Sequence, residues 1–302
     1  MHASMRYGLS VNMMFRNNIE FLQGKNWECI FSRLREYDIG DIEIFADKYP
    51  FAQSAIFKKY IGDLSSRRSE IKSISAHAGV SISGDSRVER RKLISAVQRE
   101  LQSLAGLKPD LYVIHPEIRV EDFSRLDSYR TMLANCLGDL TGIAEKYHIR
   151  IAVENLRRRV ELFPPVEYLG ENIDNLTTVI SGINHPLLGL CFDAGHGFIS
   201  QPPLLGKIAA CGAKLFHFHA SDNFGVHDDH LLPGIGRINW RDVFSDLKRI
   251  RYTGVFLLEI VPNIRTLNDM GNNADFALIR AGQHYFEHLK GNSDAEEQND
   301  KL

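Results

Sequence analysis

Between Leu215 and Trp240 the chain reads LFHFHASDNFGVHDDHLLPGIGRINW. An apolar run carrying His217 and His219 leads into a polar loop with Asp222, His227, Asp228, Asp229 and His230, and the turn Pro233-Gly234-Ile235-Gly236 closes it. Imidazoles and carboxylates at this density suit a hard or borderline divalent metal. The competing reading is a solvated acidic loop with a few histidines. The rest of the chain favours the metal, because similar residues recur at the ends of other apolar runs. SISAHA carries His77, and LYVIH ends in His115. RIAVE ends in Glu154, followed by Asn155, and LGLCFD ends in Asp193 with His196 three residues on. GVFLLEI carries Glu259.

Each of these has a structural reading as well. His77 taken alone is a hydrogen-bonded core histidine, and His115 before Pro116 caps a strand. Asp193-Ala194-Gly195-His196 is a turn capped by its aspartate. His217 shares the parity of His219 one layer lower, and reads as a buried structural histidine. His227 and Asp229 read as loop residues. Glu154 and Glu259 resist such an account. Each ends a near-continuous apolar run, where an inward carboxylate costs several kcal/mol unless it is paired or holds a metal.

The elements that must position these residues alternate. Strands are expected at Tyr7–Val11, Asp41–Phe45, Ser73–Ala78, Leu111–His115, Arg150–Glu154, Leu188–Asp193, Leu215–His219 and Gly254–Ile260. Helical periodicity fills Asn26–Tyr37, Arg87–Ala105, Asp127–Tyr147, Asn172–Ser181 and Trp240–Ile250. The pattern is α/β, a single (β/α)8 TIM barrel over residues 1–290 with a polar, disordered tail at 291–302. The runner-up, an open doubly wound sheet, would carry a glycine-rich loop after the first strand, where this chain has Asn12-Met13-Met14-Phe15. In a barrel the chemistry gathers at the C-terminal strand ends, where the residues named above lie. The segment Asp47–Ser69 reads as a lid, a dimer contact or an ordinary helix pair, which leaves room for a homo-oligomer.

Composition narrows the function classes. The chain has 302 residues, 44% hydrophobic and 25% charged, with formal net charge -2. That balance argues against a general nucleic-acid binder. Cys29, Cys136, Cys191 and Cys211 form no CxxC pair and read as small apolar residues in a reducing compartment. No secretory apolar segment and no run of 18 apolar residues stands out, so a cytoplasmic protein without a membrane span is expected.

The motifs resemble the xylose isomerase-like barrel superfamily, which holds sugar phosphate isomerases and epimerases and also endonuclease IV-type apurinic endonucleases. The most specific block is His219-Ala220-Ser221-Asp222-Asn223 followed by Asp228 to Trp240, similar to H-x-x-D-N and D-x-H-L-x-P-G-x-G. Val153-Glu154-Asn155 and Phe192-Asp193-Ala194-Gly195-His196 match as well. The resemblance implies that Glu154, Asp193, His219 and Glu259 hold one Mn2+, Mg2+, Co2+ or Zn2+ ion. His77, His115, His196, Asp228 and His230 would complete the set that the endonuclease branch uses for three zinc ions. Three departures favour a small-molecule enzyme. Glu117 stands where that branch has Gly after His-Pro, Leu156-Arg157-Arg158-Arg159 replaces a glycine-rich segment, and Ile235 replaces an acid in the turn. The branch's DNA-inserting loop is not recognisable around residues 12–18. Ile235 also departs from many isomerases, which often have Glu there.

The implied reaction is isomerisation or epimerisation of a sugar or sugar phosphate through an enediolate, with Glu154 and Glu259 as acid and base. The alternatives are a trinuclear-zinc phosphodiesterase acting on abasic DNA, a dehydratase or lyase on a cyclic polyol, and a barrel that binds a sugar without chemistry. Asn155 and Asp222 are expected to support the ligands. Arg157 reads either as a contact to a substrate oxygen or phosphate, or as part of a solvated basic run.

Overall fold

Strands buried on both faces pair in parallel under a helical cover, and the strand runs in this chain are of that kind. Asp41–Phe45 and Leu188–Asp193 are buried at every position. A computed structural model of the chain describes residues 6–11, 27–46, 55–159 and 166–261. Its strands are β1 (Arg6–Ser10), β2 (Asp41–Phe45), β3 (Ser73–Ser81), β4 (Leu111–His115), β5 (Arg150–Glu154), β6 (Leu188–Asp193), β7 (Leu215–Ala220) and β8 (Val255–Leu258). Each pairs in parallel with its sequence neighbours, and β8 returns to β1 through Arg6↔Val255 to Leu9↔Leu258, closing the barrel. The (β/α)8 architecture expected from the sequence is therefore present.

The helices are α1 (Trp27–Glu36), α2 (Ala55–Ser66), α3 (Arg87–Ser103), α4 (Leu126–Tyr147), α5 (Ile173–Ile183), α6 (Ala194–Ser200), α7 (Lys207–Cys211) and α8 (Trp240–Arg249). Local chemistry sets their ends. Ser86 and Glu89 form a reciprocal capping box on α3, and Asn172 and Asn239 cap α5 and α8. His148 and Asn184 end α4 and α5 in the left-handed region, at φ 51° and 48°. Buried Trp240, Val243, Phe244 and Leu247 form the inner face of α8.

Several boundaries differ from the sequence reading. The third strand runs on to Ser81 rather than Ala78, because its register with β4 shifts between His77 and Ser81. The eighth is shorter than Gly254–Ile260, ending at Leu258, and the next amide, of Glu259, donates to Ala220 O at 3.2 Å. The turn expected at Asp193–His196 is the capped first turn of α6, with His196 N donating to Asp193 Oδ1 at 2.6 Å. Glycines at 195 and 197 hid that helix, since glycine lowers helix propensity. From the segment 47–69, residues 55–66 form α2, residues 68–70 a 3-10 turn, and residues 47–54 lie outside the described chain, as does the tail 291–302.

Most of the core lies between the strands and the helices. Inside the barrel, Leu111, Val113, Ala152 and Cys191 form a small apolar cluster. Polar side chains occupy the barrel interior on either side of it. Beyond β4 and β5, Arg119–Val120 pairs antiparallel with Glu167–Tyr168 in a short ribbon. Cys136, Cys191 and Cys211 are buried and form no disulfide. Among the described residues no helix is long and apolar enough to cross a membrane.

Candidate metal centre

Four consecutive strands deliver one ligand-type residue each. Glu154 ends β5, Asp193 ends β6, His219 lies one residue before the end of β7, and Glu259 follows β8. All four are buried, and one donor atom from each lies within 4.8 Å of all the others. His219 Nδ1 is 3.0 Å from Glu259 Oε2, 3.5 Å from Glu154 Oε2 and 3.8 Å from Asp193 Oδ2.

Three of these atoms, Asp193 Oδ2, His219 Nδ1 and Glu259 Oε2, have no hydrogen-bond partner despite being buried. Leaving such atoms unsatisfied costs about 1–3 kcal/mol each, more when charged. Three carboxylates and an imidazole converging in this way match the donor set of Mn2+, Mg2+, Co2+ or Zn2+. A cation among them would satisfy all three orphaned atoms, so the residues fit the group.

The electrostatics follow from burial and crowding. Burial pushes the Asp193 carboxyl up to about 7, with the charges of Glu259 and Glu154 adding to it and His196 opposing. Burial would also raise Glu154, but the charges of His115 and His219 outweigh it and hold that carboxyl well below its usual range. For His219 burial disfavours the charged ring, yet Cys191, Glu43, Glu154 and Glu259 together push the imidazole well above its ordinary value.

The other histidines gather around the same glutamate. His77 Nε2 lies 3.1 Å and His115 Nε2 3.3 Å from Glu154 Oε2. His196 Nδ1 donates to Asn155 O at 2.9 Å and lies 3.3 Å from Glu154 Oε1. From there a chain runs outward. Asp228 Oδ2 stands 3.3 Å from His196 Nε2 and 3.2 Å from His230 Nε2, while His230 Nδ1 donates to Glu259 O at 3.0 Å. The nine residues named from the strand ends and the loop thus meet at one mouth of the barrel.

Asn155 holds the β5 and β6 ends together, donating to Asp193 O at 3.0 Å and accepting from Asp193 N at 2.8 Å. Asp222 acts through the loop that follows β7. Its carboxylate accepts from Gly234 N, Ile238 N and Trp240 Nε1 at 2.8, 3.1 and 2.9 Å, so it fastens the loop that carries Asp228 and His230. The turn must be tight to allow this, since a Cβ at Gly236 would lie 2.3 Å from Asp222 Oδ1. The basic run is divided. Arg157 Nε approaches Asp228 Oδ2 at 3.7 Å, whereas Arg159 pairs with Glu117 at 3.1 Å and lies over the Tyr168 ring.

Glu43 was not among the residues expected at the site. It is fully buried in β2, 3.0 Å from His219 Nε2, 3.6 Å from His217 Nε2 and 3.3 Å from Ser75 Oγ. A His219 Nε2–H donated to Glu43 leaves the Nδ1 lone pair facing the three carboxylates, as a metal-binding imidazole requires. The signal lay in DIEIF, an inward carboxylate in an apolar strand, the same sign that marked Glu154 and Glu259. Cys191 also escaped notice as a neighbour of the site, though its sulfur lies within 4.8 Å of donor atoms of Glu154 and His219.

Comparison with known proteins adds to this geometry. An uncharacterized protein of Methanocaldococcus jannaschii is 33% identical over 175 residues, covering 56% of this chain and 57% of that protein. The fructoselysine 3-epimerase of Escherichia coli O157:H7 is 26% identical over 111 residues, 36% of this chain and 40% of that one. The chain spans about half the length of the curated relatives it matches. A D-tagatose 3-epimerase-like protein superposes with TM-score 0.70 at 24% identity, covering 96% of this chain and all of the other. The IolI protein, solved with a bound zinc atom, superposes with TM-score 0.69 at 17% identity, over 88% of this chain and 94% of its own. At those identities the structural likeness speaks for the fold. The family model described as xylose isomerase-like TIM barrel matches residues 31–272. With the closed barrel and the strand-end residues in place, the chain belongs to the xylose isomerase-like TIM barrel family.

Proposed function

We propose that this chain is a divalent-metal-dependent isomerase or epimerase acting on a sugar, a sugar phosphate or a cyclic polyol. The observation that carries the reading is the convergence of Asp193 Oδ2, His219 Nδ1 and Glu259 Oε2, buried and without hydrogen-bond partners, beside Glu154. Glu154, Asp193, His219 and Glu259 would hold the ion. When bound, a divalent ion supplies Lewis acidity to the carbonyl and adjacent hydroxyl oxygens of a substrate.

The protein's own groups do the rest. Glu154 and Glu259 take and return the carbon-bound proton, and Glu154 is kept ionised for that task by His115 and His219. Two glutamates working from opposite faces invert a carbon, while one shuttling the proton between adjacent carbons converts aldose to ketose. Arg157 sits at the rim, 3.7 Å from Asp228, within reach of a substrate oxygen. The relatives support this class, since they include the fructoselysine 3-epimerase and an inosose isomerase of Bacillus licheniformis. The three buried, unpaired cysteines fit a reducing, cytoplasmic setting.

A second reading, a three-zinc phosphodiesterase, draws on the additional group His77, His115 and Glu154 and on the bridging position of Asp228. The test is a panel of ketoses and cyclic polyols followed by NMR in D2O with added Mn2+, Co2+ or Mg2+. The proposal expects solvent deuterium at the carbon that is inverted or next to the carbonyl. Cleavage of an abasic duplex with no turnover of any sugar would replace it by the second reading.

A further inference from the structure

The opposite end of the barrel has a different character. In most barrels of this type the interior is filled by packed apolar layers. Here the strand starts line a solvent-open cavity of about 440 Å3. Arg6, Asp41, Ser73, Ser75, Arg150 and His217 are among its walls, and Arg251 joins them from the connection after α8. Position 189 of β6 is glycine, and the ring of Phe216 stands where its side chain would be, 2.5 Å from an ideal Cβ.

The cavity holds an unspent positive charge. Asp41 accepts from Arg6 NH1 at 2.7 Å and from the Ser73 hydroxyl, so it is already engaged. Asp110, the other acid in the wall, accepts from Ile74 N at 2.9 Å and from Arg68 NH2 at 3.3 Å. Arg150 lies against the Phe216 ring, 5.5 Å from its centroid. Among the described residues neither Arg150 nor Arg251 has a carboxylate within ion-pair distance. With both acids committed, the wall is poor in free acceptors and rich in guanidinium donors. A cation has little to bind, whereas guanidinium groups are the donors that suit bidentate recognition of an oxyanion.

We propose that this basal cavity binds a phosphate-class oxyanion, either free phosphate or a phosphomonoester whose organic part rests on Phe216. The site is separate from the metal centre, although His217 in its wall stands 3.6 Å from Glu43, which holds His219. The proposal does not depend on which reaction the mouth performs.

The test is titration of the full chain, metal-free and metal-loaded, with inorganic phosphate and with phenyl phosphate, followed by 31P NMR and calorimetry at low salt. The expected result is saturable binding that Arg150→Gln with Arg251→Gln weakens at least about tenfold, and that Glu259→Gln leaves unchanged. Tighter binding of phenyl phosphate identifies a phosphomonoester as the occupant, and equal affinities identify free phosphate. Both arginines are exposed. Should the double variant melt early, Arg251→Gln alone and Arg150→Lys, which keeps the charge but loses the fork, replace it. No saturable binding to the wild-type chain would overturn the proposal. So would binding that survives the arginine variants and disappears in Glu259→Gln, because it would place the phosphate at the metal centre.

Discussion

The two ends of this barrel are built by the same rule and end up with opposite chemistry. At the mouth, inward positions of β5 to β7 and the residue after β8 place Glu154, Asp193, His219 and Glu259 with donor atoms within 4.8 Å of one another, three of those atoms lacking a hydrogen bond. At the base, inward positions of β1, β2, β3 and β5 carry Arg6, Asp41, Ser73 and Arg150, with the aspartate already paired. Unsatisfied groups, rather than charged residues as such, therefore mark where a ligand is needed. The acids of the base are committed to neighbours and ask for nothing positive, whereas at the mouth Asp193 and Glu259 each keep a buried carboxylate oxygen without a hydrogen bond.

Removing a mouth carboxylate should have the largest effect. Glu154→Gln and Glu259→Gln are each expected to lower turnover by about 10²- to 10⁴-fold, the range of a lost general acid or base, with the fold intact by circular dichroism. Near-wild-type turnover in either variant would break the two-glutamate scheme. Next in size is Glu43. Replacing it by Gln should weaken metal affinity by about 10- to 100-fold, since it orients His219 from behind. Competition against a chelator measures this, and an unchanged affinity would reduce Glu43 to a core residue.

The pH dependence distinguishes the ends further. In the metal-free chain His219 is held well above its usual pKa and Asp193 sits at about 7, so both carry protons in mild acid. Metal binding needs both deprotonated. Affinity should therefore rise with pH through the neutral range and fall as pH drops, with protons released on binding. Calorimetry in buffers of different ionisation enthalpy reads that release, and an affinity independent of pH would contradict the protonation states assigned to the mouth. The smallest effect concerns the loop. Asp222→Ala leaves the Trp240 indole and the backbone amides of Asn223, Gly234 and Ile238 without their acceptor and should cost about 1–3 kcal/mol in thermal or urea unfolding.

The barrel was legible because its strands alternate with amphipathic helices, and the mouth because carboxylates at the ends of apolar runs are costly without a partner. Glu43 obeys that same rule but sits in the middle of DIEIF rather than at its end, where a search of strand ends passes over it. Asp222 was visible as an acid in the loop after His219, yet the partners it takes there, Gly234, Ile238 and Trp240, depend on a turn shape that spacing does not encode. The basal cavity was not legible at all. Arg6, Arg150 and Arg251 are 144 and 101 positions apart along the chain, and only barrel closure brings them to one wall.

Whether the mouth holds a metal ion is decided by metal content per chain, measured by elemental analysis on protein incubated with Mn2+, Co2+ or Zn2+ and freed of excess ion. About one tightly held ion per chain is expected, lost in Asp193→Ala, as a four-donor site of this type requires. A wild-type chain that retains none of these ions, or retains them equally well without Asp193, would contradict it.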